Sequence, residues 1–468
     1  MTTERLSATD RAFLAIEEGA LRMHVAVTMV LDGADFVAPD GALDAERLTA
    51  RIASSLDAVP RFRQRVHEVP GVGAVWEDDP HFRVERHVVH TALPRPGDDA
   101  ALMRLVGRLL AQPLDRRRPL WEIWLVEGLS AGRFAIVAKA HHAMVDGIAG
   151  LGLLASMLRG EPGDTEAVRT SHTPAPTQGT GRIAASLVAE GARGLLAALN
   201  DARGALSHPG DALHRARDLG EGLAETLRDG LTPAAPTSIN PTEVGPHRSF
   251  LGMRFPMARL HEARRALGAT VNEFVVALTT SALRRYLAGR GDDVDAMETF
   301  RALVPVNLRP RYNEPAGTGN RISLVLMPLP VRLGDARARV DAVKAACAHF
   351  KHASHEVEGA ELVERIGDLG GPNIVSLIFR TAAKLRAFNV VVTNVPGVPF
   401  PLYLGRARVL GMWGEVPLFA HQGLGVAALS YDDALSVGLH ADPDALPDLQ
   451  ALARDFDVAF EELCALGA

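Results

Sequence analysis

A chain of 468 residues is too long for one ordinary hydrophobic core and long enough for two or three domains. With 47% hydrophobic and 23% charged residues it has a globular rather than a disordered balance, and a formal net charge of −6 gives no sign of nucleic-acid binding. The two cysteines, Cys347 and Cys464, offer neither a disulfide framework nor a cysteine-based zinc site, and the N-terminus lacks the cationic start and apolar run of a signal peptide.

No apolar run approaches the roughly 18 residues needed to span a bilayer. The expectation is a cytoplasmic protein, with peripheral contact at the inner membrane or at lipid droplets left open. Oligomeric state is not legible.

In chain order, residues 5–19 read as a short helix with Ser7 as its cap and Phe13, Leu14 and Ile16 on its apolar face. "HVAVTMVLDG" reads as a strand, and "DAERLTARIASSLDAV" as an amphipathic helix stopped by Pro60. "GVGAVWEDD" and "FRVERHVVH" read as strands, and "DDAALMRLVGRLLAQPL" as a helix. "LWEIWLVEGL" and "RFAIVAKAHH" flank the short turn "SAGR" and predict a hairpin. A helix is expected over Asp146–Arg159.

The texture then changes. Residues 161–181 are rich in Pro, Thr and Gly, 182–229 are Ala-, Leu- and Arg-rich and suggest helices, and 231–246 are again Pro-rich. Residues 161–246 therefore read as a long crossover between an N-terminal α/β half, 1–160, and a C-terminal one, 247–468. The second half opens with the strand "HRSFLGMRFP" and the helices "MARLHEARRAL" and "TVNEFVVALTTSALRRYLAG", the latter with Gly289 near its end. Strands follow at "FRALVPVNLRP" and "ISLVLMPLPV", a helix at "RARVDAVKAACAHFKHA", then strands at "AFNVVVTNVPG" and "ARVLGMWGEV". A hairpin around "YDDA" and a closing helix from Leu446 complete the chain.

The segment "KAHHAMVDGIAGLG" carries the clearest chemistry. His141 and His142 stand side by side where a strand gives way to a helix, and Asp146 follows four residues after His142. Neighbours on a strand face opposite sides, so only one imidazole can face a given site unless the strand breaks. A neutral imidazole titrates near pH 7 and suits general-base work. The competing structural account is one core histidine, one surface histidine and a helix-capping aspartate. A metal site lacks a second ligand cluster.

"GLSAG" matches G-x-S-x-G by letters, but Ser130 then sits between two strands rather than at a strand-to-helix elbow, and reads as a hairpin turn. Trp121 and Trp124 lie three apart on one strand and so face opposite ways, which suits core packing. Asn272, in the first turn of a helix, reads as a cap or surface group, and Asn394, just before a Pro-Gly turn, as a turn residue.

Taken in order, "RLSATDRAFLAIEEGALRMHV", "PLW" at 119–121, "HHAMVDG" at 141–147, "TVNEFVVALTTSALRRYL", "VPVNLR", "TNVPGVPFPLY" and "GLGVAALSY" resemble the bacterial wax ester synthase/diacylglycerol acyltransferases. These stand within the CoA-dependent acyltransferases of chloramphenicol-acetyltransferase type. Glu273, Thr393 and Asn307 depart from the residues the family usually carries at those places.

The resemblance implies a mixed α/β fold of two chloramphenicol-acetyltransferase-like subdomains joined by a long crossover, with an active-site tunnel between them. It implies acyl transfer from acyl-CoA, as co-substrate and with no other cofactor and no metal, to diacylglycerol or a fatty alcohol. It implies His142 as general base, Asn272 as oxyanion donor, and Asp146 as a catalytic-motif residue that braces the turn against Arg309. It places Glu17, His141, Gly147, Pro119, Leu120, Trp121 and Asn394 along the substrate path. The i, i+4 spacing of His142 and Asp146 favours His142 over His141 on its own. Amide formation or carrier-dependent transfer on the same fold, and a non-catalytic lipid- or CoA-binding protein, are the alternatives. Membrane association is expected to be weak and salt-sensitive, because 182–229 carries nearly balanced charge.

Overall fold

The computed structural model describes residues 4–69, 73–144, 156–163, 232–307, 322–356 and 386–467. Within them, a short strand β1 (Glu4–Arg5) precedes helix α1 (Ala8–Ile16), whose first turn is closed by Ser7 Oγ accepting the Asp10 N–H. β1 joins β4 (Gly73–Asp78) and β3 (Gln64–Val69) in a small three-stranded sheet.

The first large sheet is built on β2 (His24–Asp32), β5 (Val88–Ala92), β6 (Trp121–Leu129) and β7 (Arg133–His141). The expected hairpin is β6–β7, antiparallel, turned by Ser130–Gly132 with Ala131 left-handed at φ 62°. Ser130 thus belongs to a strand-to-strand turn. β7 also pairs antiparallel with β2, which sets His141 directly opposite His24.

Helix α2 (Ala45–Ser55) starts on Asp44, whose side chain accepts the Arg47 N–H. Helix α3 (Asp99–Ala111), capped by Asp98, covers one face of the large sheet. Its Leu102, Leu105, Val106 and Leu109 pack against Ala26, Val30, Val126, Ala135 and Val137. Burying each such aliphatic side chain contributes about 1.5–3 kcal/mol relative to leaving it in water. The other face carries Phe36, Trp76, Trp121 and Phe134 in a separate core.

The second large sheet runs β10 (Ile322–Pro328), β9 (Arg301–Asn307), β11 (Val390–Val395), β14 (Leu424–Tyr431), β15 (Ala434–Ala441), β8 (Ser249–Pro256). Helices α4 (Met257–Ala266), α5 (Val271–Gly289), α6 (Ala336–Glu356) and α7 (Leu449–Ala465) accompany it, and their apolar faces form the largest core. α5 opens with a complete capping box: Thr270 Oγ1 accepts the Glu273 N–H and Glu273 Oε2 accepts the Thr270 N–H. Glu273 therefore has a local structural role.

The sheets interlock. β12 (Tyr403–Leu404) and β13 (Ala407–Glu415) come from the second half of the chain, yet β13 pairs with β2 at the edge of the first sheet. Thr28 Oγ1 of β2 donates to Glu415 Oε1 of β13 at 2.7 Å, and Trp413 Nε1 donates to the Met253 carbonyl at 3.0 Å. A Cβ on Gly438 of β15 would collide with the Gly414 carbonyl, so the crossing of the two units is made at glycine. A division of the chain at 247 thus does not divide the sheets.

Two local expectations also change. The segment 82–90 is not one strand: a 3-10 turn, Val84–Arg86, precedes β5, where the alternation of Phe82 and Val84 with Arg83 and Glu85 ends at the adjacent exposed pair Glu85 and Arg86. β3, which sequence patterning did not reveal, has most of its residues half-exposed. The expected helices over Asp146–Arg159 and 182–229 fall wholly or largely outside the described residues.

Candidate active site

The end of β7 is fixed on both sides by backbone. The His141 N–H donates to the Leu120 carbonyl at 2.9 Å, and the His142 N–H donates to the Met23 carbonyl at 2.7 Å. The two imidazoles then diverge. His141 is fully buried, at 0% exposure, and its Nδ1 accepts the Ala143 N–H at 3.0 Å. That bond leaves the ring proton on Nε2, which lies 3.5 Å from Glu17 Oε2.

His142 is partly exposed, and its ring stacks on Phe13 with centroids 4.1 Å apart and planes 25° apart. Phe13 belongs to an apolar cluster drawn from both halves: Ile16, Met23 and Ala143 from the first, Leu303, Phe388, Val391 and Phe419 from the second. His142 therefore stands where the two units meet.

Glu17 lies at the C-terminal end of α1 and is the anion of the buried side. It accepts from Arg116 Nη2 at 2.8 Å, and its other oxygen lies 3.3 Å from His24 Nε2. Burial opposes its ionisation, but the donors His141, His24 and Arg116 outweigh burial and hold the carboxyl well below the usual carboxylate range. Burial pushes His24 down to about 4 against the pull of Glu17, so this ring is neutral at pH 7. Next on the same side, the buried Lys139 donates to the Leu109 and Gln112 carbonyls at the end of α3 and lies 3.1 Å from Glu122 Oε2.

The Pro119–Leu120–Trp121 segment supports the site from beneath. Leu120, 1% exposed, supplies the carbonyl that holds His141. Trp121, expected along the substrate path, is a core residue instead: it is 1% exposed, its Nε1 donates to the Phe62 carbonyl at 2.7 Å, and it stacks on His87 at 4.6 Å. Its strand parity turns it toward that core, in keeping with the opposed faces of Trp121 and Trp124.

Asn272, in the first turn of α5, and Asn394, near the end of β11, are brought together from 122 positions apart, with Asn394 Nδ2 3.5 Å from Asn272 Oδ1. Asn394 Oδ1 is buried and has no hydrogen-bond partner among the described residues. Val391, earlier on β11, belongs to the Phe13 cluster. Asp146, Gly147 and Arg309 lie outside the described residues. Sequence reasoning passed over His24. Its signal was the antiparallel register of β2 with β7, which no single strand reveals.

Two interlocked mixed sheets with a histidine pair at their junction form a chloramphenicol-acetyltransferase-like fold. A solved wax ester synthase/diacylglycerol acyltransferase from Marinobacter aquaeolei shares the fold at TM-score 0.70, with 24% identity over 98% of both chains. The first condensation domain of the CDA synthetase shares it at TM-score 0.58, with 16% identity over 100% of this chain and 96% of that one.

The family model for the wax ester synthase/diacylglycerol acyltransferase catalytic domain matches residues 6–275, and that for the WS/DGAT C-terminal domain matches 318–464. The chain belongs to this family and is an O-acyltransferase. It is 32% identical over 473 residues to a Mycobacterium tuberculosis protein named probable diacylglycerol O-acyltransferase, covering 98% of this chain and 96% of the relative. It is 29% identical over 455 residues to the O-acyltransferase WSD of Acinetobacter baylyi, covering 96% and 94%. Among the described residues, no single helix is long and apolar enough to cross a membrane.

Proposed function

We propose that the protein transfers a long-chain acyl group from acyl-CoA to the hydroxyl of diacylglycerol or a fatty alcohol, giving triacylglycerol or wax ester. His142 is the general base. It removes the hydroxyl proton as the alcohol oxygen attacks the thioester carbonyl. The tetrahedral oxyanion is met by the Asn272 side-chain amide. Collapse breaks the C–S bond, and the His142 imidazolium returns its proton to the CoA thiolate. No covalent acyl-enzyme forms, and acyl-CoA is a co-substrate with no other cofactor.

The observation that carries this reading is the divergence of the histidine pair: the His141 ring is fully buried, bonded to Ala143 and 3.5 Å from Glu17, whereas His142 stands partly exposed at the junction of the two units. By family resemblance, Asp146 and Arg309 brace the turn, and Asn394 and Gly147 lie along the substrate path. Contact with lipid is peripheral, weak and salt-sensitive, and the protein acts from the cytoplasm.

Purified protein given palmitoyl-CoA is expected to release thiol in proportion to added hexadecanol or diolein, with the matching ester on a lipid chromatogram. Thiol release only with an amine or a carrier-bound donor would move the reaction to another acyl transfer on this fold. No release with any acceptor would leave a binding protein.

A further inference from the structure

The buried side of the histidine pair contains a residue with no part in the reaction so far. His24 is 2% exposed, faces His141 across the β2–β7 ladder with ring centroids 6.0 Å apart, and its Nε2 lies 3.3 Å from Glu17 Oε1. Glu17 therefore sits between two imidazoles and a guanidinium. Arg116, whose side chain is 49% exposed, approaches from the solvent side. Without His24, nothing stands beside Oε1, and the carboxylate is free to rotate about the Oε2 that Arg116 holds and away from His141. His141 Nε2 would then lose the carboxylate that stands 3.5 Å from it in a fully buried place. The ring would be released from the geometry that also ties down the Ala143 N–H. The next backbone bond along is the one from the His142 N–H to Met23, the neighbour of His24.

We propose that His24 is a positioning residue for acyl transfer. Its ring, with Nε2 3.3 Å from Glu17 Oε1, fills the place beside that oxygen, so that Oε2 faces His141 and the turn carrying His142 keeps one conformation. This rests on the reading of His142 as the base. His24 touches neither substrate, so its effect belongs in the transfer step and not in binding.

The test uses full-length His24→Ala and His24→Gln. Glutamine places an amide N–H near the position of the imidazole Nε2–H. His24→Ala is expected to lower kcat by about 10- to 100-fold with KM for acyl-CoA and acceptor largely kept, the scale of a small misplacement of a catalytic group. His24→Gln is expected to recover most of the loss. In ring 15N–1H spectra of the wild type, His141 should show a slowly exchanging Nε2–H that is lost in His24→Ala and regained in His24→Gln.

Wild-type kcat in a folded His24→Ala would overturn the proposal. So would equal losses in both variants that track only a lower melting temperature. If the wild type transfers no acyl group to any acceptor, the function proposed above fails. The ring spectra then still decide the clamp: an unchanged His141 signal in His24→Ala overturns it.

Discussion

The two sides of the β7 terminus differ in kind. On the His141 side, Glu17, His24 and Lys139 form a buried polar layer, edged by Glu122 and the exposed Arg116, in which most charges meet a counter-charge or a carbonyl. On the His142 side, Phe13 and the apolar residues of both units surround a partly exposed ring. The same residue type, one position apart, is thus a structural clamp on one side and a reactive group on the other. The distinction comes from partners and burial rather than from the letters of the motif. A buried polar group with its partners in place specifies a single geometry, whereas a base must keep a lone pair for the substrate.

The polar side can be broken at Lys139, where the largest stability effect is expected. Lys139→Ala removes the donor to the Leu109 and Gln112 carbonyls and leaves Glu122 without its buried cation. A loss of about 3 kcal/mol is expected, near the lower bound for breaking a buried pair because Glu122 keeps some contact with water. Urea unfolding checks it, and an unchanged midpoint would mean that the end of α3 is held by other contacts.

A smaller effect separates the polar layer from the strand exchange by pH. Burial lowers His24 from 6.5 to about 4 and His440 to about 3. Between those values and 6.5 the unfolded chain binds more protons than the folded one. Stability is therefore full above about pH 6.5 and falls as pH drops toward 4 and below.

Glu415, buried against Thr28, has the opposite sign: burial raises it from 4.5 to about 8. The folded chain binds the extra proton between those values, so this contribution is full below pH 4.5 and is lost as pH rises through 8. Melting temperatures from pH 4 to 9 should therefore fall at both ends. Glu415→Gln, which stays neutral and can keep the bond from Thr28, should flatten only the alkaline limb. A parallel shift of the whole curve would contradict this placing of Glu415.

Much of this arrangement is legible in the sequence. The β6–β7 hairpin follows from two apolar runs around a short turn, and the expected cap at Ser7 is real, whereas the cap of α5 is Thr270 rather than Asn272. The histidine pair stands out by its motif, and the opposed faces of adjacent strand residues are what the two rings obey. What stays hidden concerns pairing. Alternation tells which side a residue faces but not which strand lies beside it. The strand 407–415 reads as a member of the second half and joins the first sheet. Trp121 follows its parity into the core while resemblance points it at substrate. His24 becomes meaningful only when the register sets it opposite His141.

The central claim is that the two histidines have separate tasks. The direct measurement is kcat at saturating acyl-CoA for His142→Ala and His141→Ala, each with its melting temperature. His142→Ala should lose about 10²- to 10⁴-fold in rate, the range for a missing general base, while melting close to wild type. His141→Ala should keep more of its rate and melt lower, because it vacates a fully buried site and leaves the Ala143 N–H without its acceptor. A His141→Ala protein that melts like wild type yet is inactive, beside an active His142→Ala, would reverse the assignment.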